Sequence, residues 1–536
     1  MSSMALIERS KNCTPVSSKY NVARSEKLGR YLQSVKDLTA GEVILRERPV
    51  AVGPTISSRD YVCFGCLRFP TKTKKLSQHL CPKCNVALLC GPNCEEDSEY
   101  HTKDECEMFK NNKDLSPDNV EEIIGVLLPL RLWLLKQRDP AAWRQVECME
   151  AHTAERRDTP VWRDRESNVI NVIRALNLIP DHDASTSELL QQVCGILDVN
   201  VFELRSPGGV DGLFLRGLYT EASLMAHDCR GNTHLTVDDN FHLTVYASLP
   251  IQRGDTIFFN YTSSLLGTSG RREHLRGGKY FECECSLCKD PYEMGSYMSS
   301  ILCPGCRQGY LGIENPLAVN PYEKTMRWQC DRCRKSIGGR LVRATLNVSR
   351  TLIEDTDDSD IKGLETLTSK LNRSFHPNHF LMLSLKQKLL AAYRKEMATP
   401  NPPKKCMQRM VDTCKEVCDV LEIVEPGISR LKGIMLYEMH LPLVLLANRA
   451  YAAREISLAE LSSRLEEAGS LLKRSLRMLL LEPIETPEGK LAKRALQELK
   501  ALNQNIADVK TITTVENTSC ANAKRKSSRN KSSTNK

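Results

Sequence analysis

Eight residues able to bind a metal through sulfur or nitrogen fall between Cys63 and Cys106, as Cys63-x2-Cys66-x14-Cys81-x2-Cys84-x5-Cys90-x3-Cys94-x6-His101-x4-Cys106. Closely paired thiolates with an imidazole are what tetrahedral zinc takes, and eight such donors serve two ions. The segment carries too little apolar sequence for a core of its own, so metal binding has to supply its folding energy. Two more C-x2-C pairs, Cys303/Cys306 and Cys330/Cys333, stand 23 residues apart, a separation that suits a zinc ribbon. Between these groups lies Cys283-x-Cys285-x2-Cys288, with Cys229 some fifty residues upstream as a fourth sulfur. Together they make a further tetrahedral site that ties two distant stretches of chain.

The elements that must position these donors can be read from periodicity. Leu235-Thr236-Val237 and Phe241 to Val245 alternate around Asp238-Asp239-Asn240, a hairpin signal. Ile257-Phe258-Phe259 reads as a short buried strand that delivers Tyr261. Asp37 to Leu45 reads as a turn feeding a β-branched strand, just after Gly29-Arg30. Residues 107 to 205 are expected to be helical, from apolar spacing at Val120-Ile124, Val169-Leu178 and Leu189-Leu197, with Trp133, Trp143 and Trp162 in the core. Residues 340 to 506 read as about seven helices punctuated by Pro400, Pro402, Pro403, Pro426, Pro442, Pro483 and Pro487. His376 and His379 are read there as capping and packing residues, and Cys414 and Cys418 as free thiols on a helix.

In order and spacing, the stretch from Ala226-His227-Asp228-Cys229 through Tyr261 to Cys283-x-Cys285-x2-Cys288 resembles the catalytic half of a SET domain of the SMYD (SET and MYND) lysine methyltransferase family. Cys63 to Cys106 resembles that family's MYND finger, although His101 stands five residues before the last cysteine instead of four. The ribbon pairs resemble the arthropod SmydA branch. The resemblance implies an α+β multidomain chain. A split SET β-fold would be interrupted by the MYND finger and a helical insert, then followed by a post-SET zinc site and a C-terminal α-helical, tetratricopeptide-like domain. The expected parts are a flexible tail at 1–18, SET at 19–62, finger at 63–106, helical insert at 107–205 and SET again at 206–265. Post-SET and ribbon follow at 266–340, the helical domain at 341–506 and a disordered basic tail at 507–536.

The resemblance also implies ligand sets and roles. Interleaved pairing puts Cys63, Cys66, Cys90 and Cys94 on one ion and Cys81, Cys84, His101 and Cys106 on the next. Cys229, Cys283, Cys285 and Cys288 would hold a third, and Cys303, Cys306, Cys330 and Cys333 a fourth, about four zinc ions per chain. S-adenosylmethionine would be the cofactor, bound by Gly29, Arg30, His227, Tyr261 and Phe281, with Tyr261 catalytic. Methyl transfer to lysine needs a neutral amine, although free lysine has a pKa near ~10.4. An apolar channel and the sulfonium charge both favour the neutral form, and alignment supplies much of the rate. A tyrosine hydroxyl that orients the amine fits that need better than a strong base. The implied substrate is a histone or non-histone protein, in transcriptional regulation, with the finger recruiting proline-containing peptides. The sequence has Ala226 where the family has Asn, and Tyr31 where a second Gly often sits. These departures keep open a SET–MYND adaptor or corepressor that works through protein contacts alone.

Composition agrees with a soluble chain of several domains: 536 residues, 41% apolar and 26% charged. Net charge is +9, and Lys524 to Lys536 carry six of the positive charges, so the remainder is nearly neutral and direct DNA binding is not expected. The apolar run Ile123 to Leu135 is broken by Pro129 and Arg131, too short for a membrane span. With no leader pattern, and with clustered cysteines suited to a reducing compartment, an intracellular monomer in cytoplasm or nucleus is expected. Lys524-Arg525-Lys526 is a candidate import signal.

Overall fold

A computed structural model describes residues 17–532 apart from 59–60, 70–78, 97, 181 and 209–213. The expected loose segment at 1–18 lies outside the described residues except for its last two. The chain divides into two compact units. One holds the chain to Tyr261, Glu273–Glu282 and Glu485–Pro487; the other holds Thr262–Arg272, Cys283–Ile484 and the chain from Glu488.

The first unit is built of small sheets. Strands β1 (Tyr20–Ser25) and β2 (Gly29–Ser34) form a hairpin with Ser25 opposite Gly29. β3 is Val43–Glu47 and β4 is Ala51–Pro54; the short β5 (His79–Leu80) and β6 (Leu88–Leu89) pair within the cysteine-rich segment. β7 (Phe202–Arg205) and β8 (Phe214–Leu218) complete a sheet in the order β4-β8-β7. After β9 (Ala226–His227), β10 (Thr233–Val237) and β11 (Leu243–Ala247) join β3 in the order β10-β11-β3, and β12 (Phe258–Phe259) returns parallel to β9.

Hairpin β10–β11 forms where alternation predicts it, but its loop is longer than a two-residue turn. Asp238 Oδ1 accepts the backbone N–H of Asn240 and of His242, both at 2.9 Å. That ties five residues into a loop and leaves Phe241 at φ +60° with its ring buried. The Tyr219 hydroxyl donates to the Phe241 carbonyl at 2.7 Å and holds the loop from below. β12 is only two residues long and half-buried, and its parallel pairing sets Phe259 against His227.

Helix Val120–Arg138 runs through the core of this unit with Pro129 in its interior. Pro129 costs the helix one N–H, a loss that burial of nearly every side chain from Ile123 to Leu135 outweighs. Helix Ala184–Asn200 starts where Asp183 accepts the Thr186 N–H at 2.8 Å. Trp143 is buried as expected, whereas Trp162 is only half-buried and carries Arg157 on its ring at 5.1 Å.

In the second unit β13 (Ile301–Leu302), β14 (Tyr310–Ile313), β15 (Arg327–Cys330) and β16 (Ser336–Gly338) form an antiparallel ribbon in chain order. Trp328 anchors it, buried and donating to the Pro321 carbonyl at 3.0 Å. Seven helices follow among the described residues, from Gly339–Glu354 to Pro487–Ser532. From Ile361 to Leu479, consecutive helices pack against one another in chain order. His379 caps helix Phe380–Met397 by accepting the Leu381 N–H on Nδ1, and His376 stacks on Tyr297. Cys414 and Cys418 are buried free thiols. Two expectations need correcting. Pro442 does not end a helix: it lies inside Arg430–Ala452, buried against neighbours that hold the turn despite the missing N–H. Among the described residues the chain from 507 is not irregular either, because helix Pro487–Ser532 runs on to Ser532.

Candidate metal centres and active site

Among the described residues, fifteen cysteines and His101 gather into four groups, within each of which the ligand atoms lie within 4.8 Å of one another. They are Cys63, Cys66, Cys90 and Cys94; Cys81, Cys84, His101 and Cys106; Cys229, Cys283, Cys285 and Cys288; and Cys303, Cys306, Cys330 and Cys333. Sulfurs at the corners of a zinc tetrahedron with ~2.3 Å bonds stand about 3.8 Å apart. Cys81–Cys106 and Cys306–Cys330 are at 3.8 Å, Cys303–Cys333 at 3.6 Å and Cys66–Cys90 at 3.4 Å, so the donor sets fit that ion. Backbone N–H groups also point at the sulfurs, from Cys90 to Cys63 at 3.3 Å and from Gly309 to Cys306 at 3.4 Å. N–H groups of Gln308 and Gly309 hold the Cys306 thiol down to about 6.

The backbone of the finger and ribbon pairs shares one conformation. The residue after the second cysteine has positive φ in four of the C-x2-C pairs, with Leu67 at 58°, Asn85 at 55°, Arg307 at 54° and Arg334 at 61°, whereas Lys289 after Cys285-x2-Cys288 ends a short helix. The turn brings N–H groups round to the sulfur, and Gly would reach it without strain. None of the four is Gly.

His101 joins its group through Nε2, which lies 3.6 Å from the Cys84 sulfur. Its other nitrogen meets Glu105 Oε1 at 2.8 Å. Glu105 is fully buried and takes Arg131 Nε at 2.8 Å, while Arg131 donates to the carbonyls of Val52 and Phe64. Burial pushes the Glu105 carboxyl up, but Arg131 and His101 together hold it below its ordinary value. Neither Glu105 nor Arg131 is among the site residues expected from the sequence. The signal that could have found them is an acid four residues after His101, one helical turn on. The Arg131 that breaks the apolar helix is its partner. Residue 102 is the N-cap of helix Lys103–Asn111 and no part of the group.

Around Tyr261 the first unit brings several predicted residues together. The Tyr261 hydroxyl donates to the Met225 carbonyl, and its backbone N–H donates to His227 Nδ1 at 3.0 Å. With Nδ1 accepting, His227 carries its proton on Nε2, which faces the Cys229 sulfur at 3.3 Å. The His227 ring lies 5.1 Å from Tyr261 and 5.7 Å from Phe281. Burial drives the Tyr261 phenol well above its ordinary pKa, so it stays protonated. Asn232 pins this arrangement, donating to the Thr256 carbonyl at 2.9 Å and accepting the Phe258 N–H at 2.7 Å. Gly231, at φ +46°, lets the loop pass the Asn260 backbone, which a Cβ would meet at 3.3 Å. Ala226 is buried beside Phe258 in β9.

Gly29 and Arg30 open strand β2. The Ile257 N–H donates to the Leu32 carbonyl and the Ser34 N–H to the Asp255 carbonyl, both at 2.9 Å, so β2 runs beside the chain that leads to Tyr261. Gly29 has φ +65° and open space where a Cβ would stand. Tyr31 pairs with Ala23 inside the strand, where extended backbone suits any side chain and no second Gly is required. Arg30 donates to the Cys148 carbonyl. A cleft of about 310 Å³ opens elsewhere in the unit, between Thr153, Arg157, Trp162, Ser185, Glu188 and Leu189, and contains none of the predicted site residues.

No family model matches the chain. It is 27% identical over 322 residues to the SET domain-containing protein SmydA-8, isoform A, of Drosophila melanogaster, covering 59% of this chain and 64% of that one. It is 23% identical over 282 residues to the histone-lysine N-methyltransferase Smyd1 of Mus musculus, covering 50% of this chain and 55% of that one. The match thus spans somewhat less than two thirds of either relative. Among solved structures, the SET domain of LSMT bound to lysine and AdoHcy aligns over 81% of this chain and 90% of that one, at 10% identity and a TM-score of 0.29. The chain is therefore similar in sequence to SET domain-containing SmydA and Smyd proteins, and its split sheets and its ligand groups are in keeping with that likeness.

Proposed function

We propose that the protein is an S-adenosylmethionine-dependent protein-lysine N-methyltransferase. The observation that carries this reading is the convergence of Tyr261, His227 and Phe281, with the phenol hydroxyl held on the Met225 carbonyl. The open turn at Gly29 supports it, because backbone with room in front of it can be approached closely by a ligand.

When bound, the cofactor supplies an electrophilic methyl group on a sulfonium. Gly29, Arg30, His227 and Phe281 would hold it. Tyr261, kept protonated by burial, would orient the acceptor amine through its oxygen without taking a proton from it. His227 would fix the Tyr261 backbone through the 3.0 Å bond to Nδ1. The apolar surroundings favour the neutral amine. Zinc would be held by the four ligand groups as structural ions, and the finger would recruit proline-containing partners in transcriptional regulation.

Calorimetric titration of the purified protein with S-adenosylmethionine tests the cofactor, and radiolabelled methyl transfer to histone mixtures tests the reaction. Binding in the micromolar range is expected, and its absence at millimolar cofactor would favour the adaptor that Ala226 leaves open. Tyr261→Phe is expected to lower kcat by about 10²-fold, the usual loss when one positioned hydroxyl is removed from a reacting centre. A variant as active as wild type would remove Tyr261 from the mechanism.

A further inference from the structure

Lys279, at the end of helix Thr268–Lys279, sends its side chain to the candidate active site. Nζ stands 5.6 Å from the centre of the Tyr261 ring and donates to the Val199 carbonyl. We propose that Lys279 is an internal stand-in for the acceptor lysine, filling the place beside Tyr261 and keeping external amines out until its helix end unwinds. This rests on the methyltransferase reading above, since it assigns the space beside Tyr261 to an acceptor amine.

Three observations support the proposal. First, the group is chemically the same as the acceptor: a primary amine on a four-carbon stem beside the aromatic residue assigned to orient such an amine. Second, its surroundings act on it as the reaction requires of a substrate. Burial lowers its pKa to about 8 and Arg216 adds to the effect, with Asp198 and Glu203 opposing. Third, the segment that carries it is built to let go. Gly277 and Gly278 precede it in the last turn, and a Cβ at either would meet nothing within 4 Å, so packing does not require glycine at either position. Two glycines in a helical turn weaken it by about 1 kcal/mol each relative to alanine. Tyr280 follows at φ +60°, its ring against His152 at 4.8 Å, which fixes the chain on the far side of the glycines.

The test is binding of a lysine capped at both backbone ends (N-acetyl-lysine methylamide), by calorimetry without cofactor, on zinc-loaded full-length protein. If the stand-in occupies its place most of the time, apparent affinity is reduced by the fraction of open molecules. Lys279→Ala is therefore expected to bind the capped lysine at least about tenfold more tightly than wild type. The Gly277→Ala/Gly278→Ala double variant, which stiffens the turn, is expected to bind it no better than wild type. Equal affinity in wild type and Lys279→Ala would overturn the proposal, as would tighter binding in the double-alanine variant. Titration of the same samples with S-adenosylmethionine separates the two readings. Cofactor binding without any gain from Lys279→Ala sinks the stand-in alone, whereas the gain without cofactor binding sinks methyl transfer and leaves the internal lysine in place. Unchanged zinc content shows that each variant is folded.

Discussion

The two nitrogens of His101 have separate tasks, one facing the Cys84 sulfur and one held by Glu105. A buried carboxylate in that position fixes the ring and raises its strength as a ligand. Glu105→Gln keeps the shape but loses the charge that answers Arg131, which then stays buried without its partner. Zinc at this group is expected to bind about 10–100-fold more weakly, measured by competition with a chromophoric chelator. Lys279 makes a prediction about pH. Its folded value of about 8 lies below the ~10.4 of an unfolded lysine. Between the two the unfolded chain holds the proton and the folded chain does not, so this residue's contribution to stability rises with pH over that window. Lys279→Met removes the burden of a buried ammonium. Its gain in thermal midpoint is expected to be largest at neutral pH and to shrink as the solution is made more alkaline, and a gain independent of pH would contradict this. Glu105 is marked in the sequence only by its four-residue spacing from His101, and Lys279 does not stand out at all, because what distinguishes it is burial beside a partner from a distant element, which local spacing does not record.

At the scale of elements, the turn after each C-x2-C pair of the finger and ribbon places a side chain where Gly would be free of strain. Left-handed backbone costs an ordinary residue about 1–2 kcal/mol. Arg334→Gly and Arg307→Gly are expected to stabilise the ribbon by up to about that much, seen as a higher thermal midpoint at saturating zinc. Gly195 behaves in the opposite way. A Cβ there would lie 2.5 Å from the Ala151 carbonyl oxygen and 2.7 Å from Arg156 Nη1. Gly195→Ala should therefore cost on the order of 1–3 kcal/mol, the range of an overpacked core, read from the urea midpoint. Apolar spacing located the helices well because each buries one face, as Leu461, Leu465, Leu472, Leu476 and Leu479 do together. Proline was the weaker guide: Pro442 reads as a break, yet tertiary packing keeps it within a helix. Strand β12 was legible as an apolar run, but its parallel partner β9 was not, since two residues carry no period.

For the molecule as a whole, the four ligand groups predict zinc close to four per chain by atomic absorption, and three would exclude one of them. The groups themselves were legible because metal ligands must repeat at short, fixed intervals. Their burial was not, and it has a consequence for how the protein comes apart. All four ligands of the group containing His101 are buried, whereas Cys90 and Cys333 lie open to water in two of the others. A chelator has to reach an ion through its most accessible ligand. Stripping should therefore proceed in stages, with the ribbon and the Cys90 half of the finger emptied quickly and the His101 half surrendering its ion last. A protein caught midway would keep the inner knot of the finger intact while its outer face had already come undone.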